Sequence, residues 1–302
     1  MDSFPKNQKE FNALIASEDA CQRYLVSIRW PEGFMCPDCG HPLAWTLATG
    51  QNKCRQCRKR MSVTAGTLFQ DTRFPLRVWF QAIWYVISQK SGVSALGVQR
   101  ILGLGSYHTA WAWLHRLRRA MVRPGRERLS GTLEVDETYW GAAQAGKRGR
   151  GASGKVIILV AVEHAMNKLG RIRLLRVPDF RGETLVDAVQ TLVVPGSIIE
   201  TDGLQSYNGL SAKGYAHRVV REEMIDDLLP HVHLVVSLLK RWLLGTHQGG
   251  VQVSHLDYYL DEFTFRFNRR TSHSRGMLFR RVLENAVVLP PVRNADLRSS
   301  HG

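Results

Sequence analysis

The chain has 302 residues, 44% of them hydrophobic, and carries 41 Lys and Arg against 26 Asp and Glu, a formal net charge of +15 with a pI near 10. That length accommodates one large domain or about two smaller ones, and no run approaches the roughly 18 consecutive apolar residues that span a bilayer. The opening MDSFPKNQKEFNALI lacks the basic flank, long apolar run and cleavage site of a secretory signal, so a soluble, cytoplasmic protein is expected.

The basic excess calls for a polyanion. Each Lys or Arg that neutralises a phosphate releases condensed counterions, so nucleic acid is the leading partner. A generally cationic soluble protein is the plainer alternative.

Four of the five cysteines form a pattern: Cys36 and Cys39 in CPDCG, Cys54 and Cys57 in CRQC, with fourteen residues between the pairs. In a reducing compartment such spacing points to metal before disulfide. Each C-x-x-C turn aims two thiolates at one point, and two turns supply the closed tetrahedral sulfur set of structural Zn²⁺. Between them, HPLAWTLATGQNK reads as short strands with a Gly turn, consistent with a zinc ribbon. Lys53, Arg55, Arg58, Lys59 and Arg60 make either a phosphate-contacting surface or a solvated charged face. Cys21 has no partner spacing and reads as a packed helix residue.

The period then turns helical. Residues 75–90 start at a Pro and repeat apolar positions at Val78, Ile83, Trp84 and Ile87. Two shorter helices follow, broken at Gly103-Leu104-Gly105, and Ser106 can cap the second. Helix, turn, then a helix with His108, His115, Arg116, Arg118 and Arg119 is the order of a helix-turn-helix DNA reader. Arg116, Arg118 and Arg119 are the candidate DNA contacts there, and Trp111 and Trp113 read as core.

After the linker VRPGRERLSG the period changes to two. Strands are predicted over TLEVDETYWG (132–141), 155–164 and 170–180, then a helix over 181–193, a fourth strand ending at Asp202-Gly203, and a fifth over 217–222. This order is compatible with a mixed five-stranded sheet. Between the first two strands, Lys147, Arg148, Arg150 and Lys155 sit on a Gly-rich stretch, either a flexible hairpin tip or a basic loop beside a phosphodiester.

Asp136 lies mid-strand and Asp202 ends the fourth strand. If those strands are neighbours, two carboxylates converge, which is costly unless a cation joins them. Mg²⁺ takes such oxygen ligands, and metal sites of this kind serve in-line phosphoryl displacement. A solvent-facing charged edge explains Glu134 and Glu137 but leaves Asp202 a coincidence.

The stretches CPDCG, CRQC, SVTAGTLFQDT, LEVDETYWG, GKRGRG, ETDGLQSYNGL, KRWLLGTHQG and YLDEFTFRFNRR, in order from about residue 10 to 285, resemble the bacterial insertion-sequence transposases of family fifteen-ninety-five, the ISXO-two-like branch. The resemblance implies an α/β fold: a zinc ribbon and a helix-turn-helix-like region before an RNase H-like mixed five-stranded sheet with flanking helices. It implies a DDE-type nuclease and strand transferase. Asp136 and Asp202 would hold Mg²⁺ or Mn²⁺, and 3′-hydroxyls of cut ends would be joined to target DNA. Partners would be double-stranded DNA, as terminal inverted repeats and target, and further copies of the chain on it, with a nucleoid location.

Many relatives place an Asn in a Ser-Asn-Leu-Lys run on the following helix. This chain has Leu238 there, 36 residues after Asp202, and leucine cannot bind metal. His233 is favoured as replacement ligand or proton-transfer group and Glu262 comes second, while Lys240 would grip phosphate. Lys240, Arg241, Arg269 and Arg270 join the candidate DNA contacts. Leu256, Tyr259, Leu260, Phe263 and Phe267 read as a packing stripe, and the tail after Pro290 resembles no packed element. The expected divisions are 1–70, 71–125, a catalytic 131–290, and 291–302. A DNA-binding regulator without catalysis, or a nuclease without strand transfer, remain the alternatives.

Overall fold

The computed structural model describes residues 4–123, 125–141, 155–165, 168–220 and 228–298. They form two compact units, one of residues 1–123 with 272–302 and one of residues 124–271.

The first unit opens with α1 (Gln8–Leu14) and α2 (Glu18–Arg29), started by Asn7 and Ser17, whose side chains accept the Glu10 and Ala20 N–H groups. An antiparallel sheet follows, of β1 (Ala44–Thr46), β2 (Asn52–Cys54) and β3 (Arg60–Met61). Then come α3 (Leu76–Ser88), α4 (Ala95–Leu102) and α5 (Tyr107–Met121). Gly103 stops α4 at φ +62, and Ser106 caps α5, as the helix-turn-helix order requires. Pro75 gives α3 no capping side chain. Glu18 of α2 does that work instead, accepting the Leu76 and Arg77 N–H groups at 2.6 and 3.0 Å.

In the second unit β4 (Thr132–Trp140), β5 (Val156–Ala165) and β6 (Lys168–Val177) form an antiparallel meander. After α6 (Gly182–Leu192), β7 (Ile198–Thr201) joins the other side of β4 in parallel. A 3₁₀ segment, Gln205–Lys213, leads to β8 (Ala216–Val219), parallel to β7. The order β6-β5-β4-β7-β8 is the expected mixed five-stranded sheet. The last elements are α7 (Pro230–Gly245) and α8 (Leu256–Asn268).

Alternation along the pleat sorts the strands' side chains onto two cores. Leu133, Val135, Leu159 and Ile199 pack with Leu185, Val189 and Leu192 of α6. Ile158, Val160, Val162 and Leu174 pack with Val232, Val235 and Leu239 of α7 and with α8. Glu134, Asp136 and Thr138 of β4 stand opposite Val162, Val160 and Ile158, so they belong to the face that α7 covers.

The chain returns to the first unit with α9 (Arg275–Val288) and α10 (Asn294–Arg298). Phe279, wholly buried, brings α9 against Phe11, Tyr24, Phe80 and Trp84. Gly276 is required where the N-terminal segment crosses, because a Cβ there would meet the Pro5 carbonyl at 2.5 Å. Two expectations are corrected. The compact unit that holds the five-stranded sheet ends at Thr271 rather than 290, since the apolar face of α9 is spent on α2, α3 and α5. The described part of the tail, residues 291–298, is packed: Leu297 is buried, and Arg116 of α5 donates to the Val292 carbonyl and to Asn294.

Candidate active site and metal centre

The Sγ atoms of Cys36, Cys39, Cys54 and Cys57 lie within 4.8 Å of one another, with Cys36–Cys57 and Cys39–Cys54 both at 3.6 Å. A tetrahedron with arms of about 2.3 Å has edges of about 3.8 Å, so the four thiols fit Zn²⁺. The two knuckles repeat one backbone device. The Gly40 N–H returns to the Cys36 carbonyl and the Arg58 N–H to that of Cys54, at φ +70 and +62. Burial raises the Cys54 thiol, but the Cys57 and Gln56 N–H groups and the neighbouring thiols outweigh it, bringing it down to about 7. Among the basic residues around the second knuckle, Lys59 pairs with Asp38 at 2.5 Å, and the Arg55 and Arg58 guanidinium groups lie over the Trp45 ring at 5.5 and 4.7 Å.

In the second unit β4 and β7 run in parallel with Thr132, Leu133 and Glu134 opposite Ile198, Ile199 and Glu200. The ladder ends at Glu134 and Glu200, with Asp136 two residues further along β4 and Asp202 two residues beyond Glu200. Asp202 follows the last residue of β7, and its Oδ1 accepts the Leu204 N–H at 3.1 Å in a tight turn. Gly203 makes that turn at φ +87, where a Cβ would strike Val219 at 2.9 Å. Asp136 Oδ1 accepts the Glu137 N–H at 2.8 Å, while Oδ2 stands 3.6 Å from His233 Nε2 on α7. The Asp136 side chain is 20% exposed and that of His233 48%, so this pair opens to solvent.

Tyr207 holds Glu137 from the α6 side of the sheet. It is wholly buried and donates its hydroxyl to Glu137. That phenol is held well above its usual range, first by burial, then by the charge of Glu137 and the bond to it, and further by Asp136 and Asp202. Three acids therefore act on one hydroxyl.

Other predicted residues have different surroundings. Lys240 and Arg241 are exposed on α7, and Leu238 packs against the core shared with α8. Glu262 is fully buried in α8, which runs along β6, and pairs with Arg266 at 2.7 Å. The structure thus sets it two strands from β4. Arg270 lies over Phe267 and donates to the Leu169 and Gly170 carbonyls at the start of β6, and Arg269 lies over Phe265. Arg118 is 2% exposed, Arg116 is engaged by the tail, and Arg119 is partly buried, so α5 shows little of the basic face predicted for it. The reason is that α9 and α10 pack against it. Lys147, Arg148 and Arg150 lie outside the described residues.

Sequence reasoning misplaced Glu134. It is not at a solvent-facing edge but 3% exposed, with Oε1 accepting from His231 Nδ1 at 2.5 Å and Oε2 from the Val232 N–H at 2.8 Å. The available signal was its place two residues before Asp136, which the pleat puts on the same face.

Residues 128–268 match the family described as ISXO2-like transposase domain, and residues 16–60 match the transposase zinc-ribbon domain. The two matches fall on the carboxylate-bearing sheet and the four-cysteine ribbon and together span more than half of the chain. The chain belongs to the ISXO2-like transposases. It is also similar to an uncharacterized protein in transposable element ISH50 of Halobacterium salinarum, 26% identical over 287 residues, covering 83% of this chain and 90% of that protein. Among the described residues no helix of this transposase is long and apolar enough to cross a membrane.

Proposed function

We propose that this transposase cuts the ends of its element and joins their 3′-hydroxyls to target DNA by Mg²⁺-dependent phosphoryl transfer, working as a homo-oligomer on double-stranded DNA. The observation that carries the reading is the β4–β7 register, which pairs Glu134 with Glu200 and, carried two residues further, would bring Asp136 and Asp202 together. Hard carboxylate oxygens at the open end of a sheet suit Mg²⁺ or Mn²⁺. When bound there, the metal would stabilise charge on the attacking and leaving oxygens of an in-line displacement.

The chain's own groups supply the rest. Asp136 and Asp202 would hold the cation, and the turn of Asp202 onto the Leu204 N–H fixes its carboxylate. His233, with Nε2 directed at Asp136, takes or returns the proton of the attacking water or hydroxyl. Lys240 and Arg241, on the exposed side of the same helix, bind backbone phosphates. Leu238, packed against the core, offers no ligand atom at its place on α7. The ribbon and the remaining exposed basic residues contribute salt-dependent affinity for the terminal repeats.

End cleavage and plasmid joining with a labelled terminal-repeat duplex in Mg²⁺ test the reading. Asp136→Ala and Asp202→Ala are each expected to lower both steps by at least about 10³-fold, at the scale of a lost main electrostatic contributor, with end binding intact. Normal joining by either variant would overturn it. Cleavage without joining would make the protein a nuclease, and end binding without either step a regulator.

A further inference from the structure

One pleat repeat before Asp136 lies a second set of carboxylates and imidazoles. Two residues earlier on β4 stands Glu134, two earlier on β7 its register partner Glu200, and two earlier on α7, His231 in place of His233. His231 bonds Glu134, His164 Nε2 bonds Glu200 Oε2 at 3.0 Å, and the two imidazoles stack at 4.8 Å, 11° from parallel. The four side chains are between 4% and 19% exposed.

This layer performs a mechanical task at the start of α7. The first N–H groups of a helix have no partner within it, and here the N-cap is Leu229, which offers no side-chain acceptor, followed by Pro230. The N–H at the third helical position, usually taken by a Ser, Thr or Asp cap, belongs to Val232, and it goes to Glu134 on a strand 98 residues away in sequence. The second oxygen of the same carboxylate takes the His231 imidazole, so both bonds fix the rotation and height of the first turn. Val232 faces the core, and the next residue is His233.

We infer that Glu134 is a positioning residue: from β4 it caps α7 in trans and thereby aims His233 at Asp136. This rests on the proposed role of His233 and Asp136 in DNA cutting. Glu200, His164 and His231 buttress the cap by filling the buried space beside it.

The full-length protein is compared with Glu134→Met, which keeps length without an oxygen, and Glu134→Gln, which keeps one acceptor for Val232. In the wild type the Val232 amide is expected to exchange hydrogen about tenfold or more slower than that of His231. Glu134→Met should lose this protection. Its single-turnover cleavage at saturating DNA end should fall about a hundredfold, the scale of a 1 Å misplacement, with end affinity held within about twofold. Glu134→Gln should recover both to within about tenfold of wild type. Equal exchange of Val232 and His231 in the wild type, wild-type cleavage by Glu134→Met, or a Gln variant no better than Met would overturn the inference, as would parallel loss of affinity and cleavage. Should Glu134→Met not fold, exchange in the wild type and Gln variant still decides. A wild type that cuts no DNA defeats the transposase mechanism, whereas fast exchange at Val232 defeats the cap.

Discussion

Tyr207 and Glu137 show how one hydrogen bond can brace a site from the opposite side of a sheet. Glu137 follows Asp136 on β4 and points to the α6 core, where the wholly buried Tyr207 donates to it. The 3₁₀ segment carrying Tyr207 begins three residues after Asp202, so this bond links the two stretches that bear the paired aspartates. Tyr207→Phe keeps the ring but removes a donor from a partly buried carboxylate, and a cost of about 1–3 kcal/mol is expected. Urea unfolding measures it, and an unchanged midpoint would show the bond to be dispensable. Asp136 stands out in the sequence because a carboxylate is unusual within a strand, and Asp202 because a Gly follows it at a strand end. The roles of Glu134 and Tyr207 were not legible, since nothing local tells a buried, bonded acid or phenol from an exposed one.

At the level of elements the ribbon has little besides its cysteines to hold it. Its buried core is Cys36, Cys54 and Met61, with Phe34 and Ala65 packed alongside, far too small a nucleus to fold without a crosslink. Cys36→Ser is therefore expected to lose zinc, unfold the three short strands and weaken binding to DNA ends. Metal analysis of the purified variant settles it, because full zinc stoichiometry would rule out four-sulfur coordination. The cysteine spacing made this element readable from sequence, as did the period of two in β4, β5 and β6 and Gly103 between α4 and α5. The outward face of α5 was not readable. Its arginines look like a basic stripe in isolation, but Arg118 is buried and Arg116 donates to Val292 and Asn294, more than 170 residues downstream. Helical periodicity carries no information about which distant segment packs on a helix.

Across the whole molecule, acid should act through Glu163 on β5. Burial raises its carboxyl, but hydrogen bonds from Arg171, the Ser130 and Arg171 N–H groups and the Arg171 charge outweigh that and hold it below the usual range. A carboxyl depressed on folding stabilises fully above its unfolded value, about 4.3, and loses that contribution as pH falls through the folded value. Glu163→Gln should then be less stable than wild type at pH 7 and lose less stability between pH 5 and pH 3. Denaturant midpoints across that range test this, and parallel acid limbs for the two proteins would refute it. The unit boundary at Thr271 escaped sequence reasoning for the reason that hid the face of α5: α8 and α9 read alike as amphipathic, and only packing assigns them to different cores.

That division has a consequence for biosynthesis. The aromatic cluster of Phe11, Tyr24, Phe80 and Trp84 emerges from the ribosome early, but Phe279, which closes it, follows only after the 148 residues from 124 to 271 have been translated. Premature termination anywhere in that interval leaves a polypeptide whose aromatic cluster lacks its closing ring, prey for proteases and chaperones.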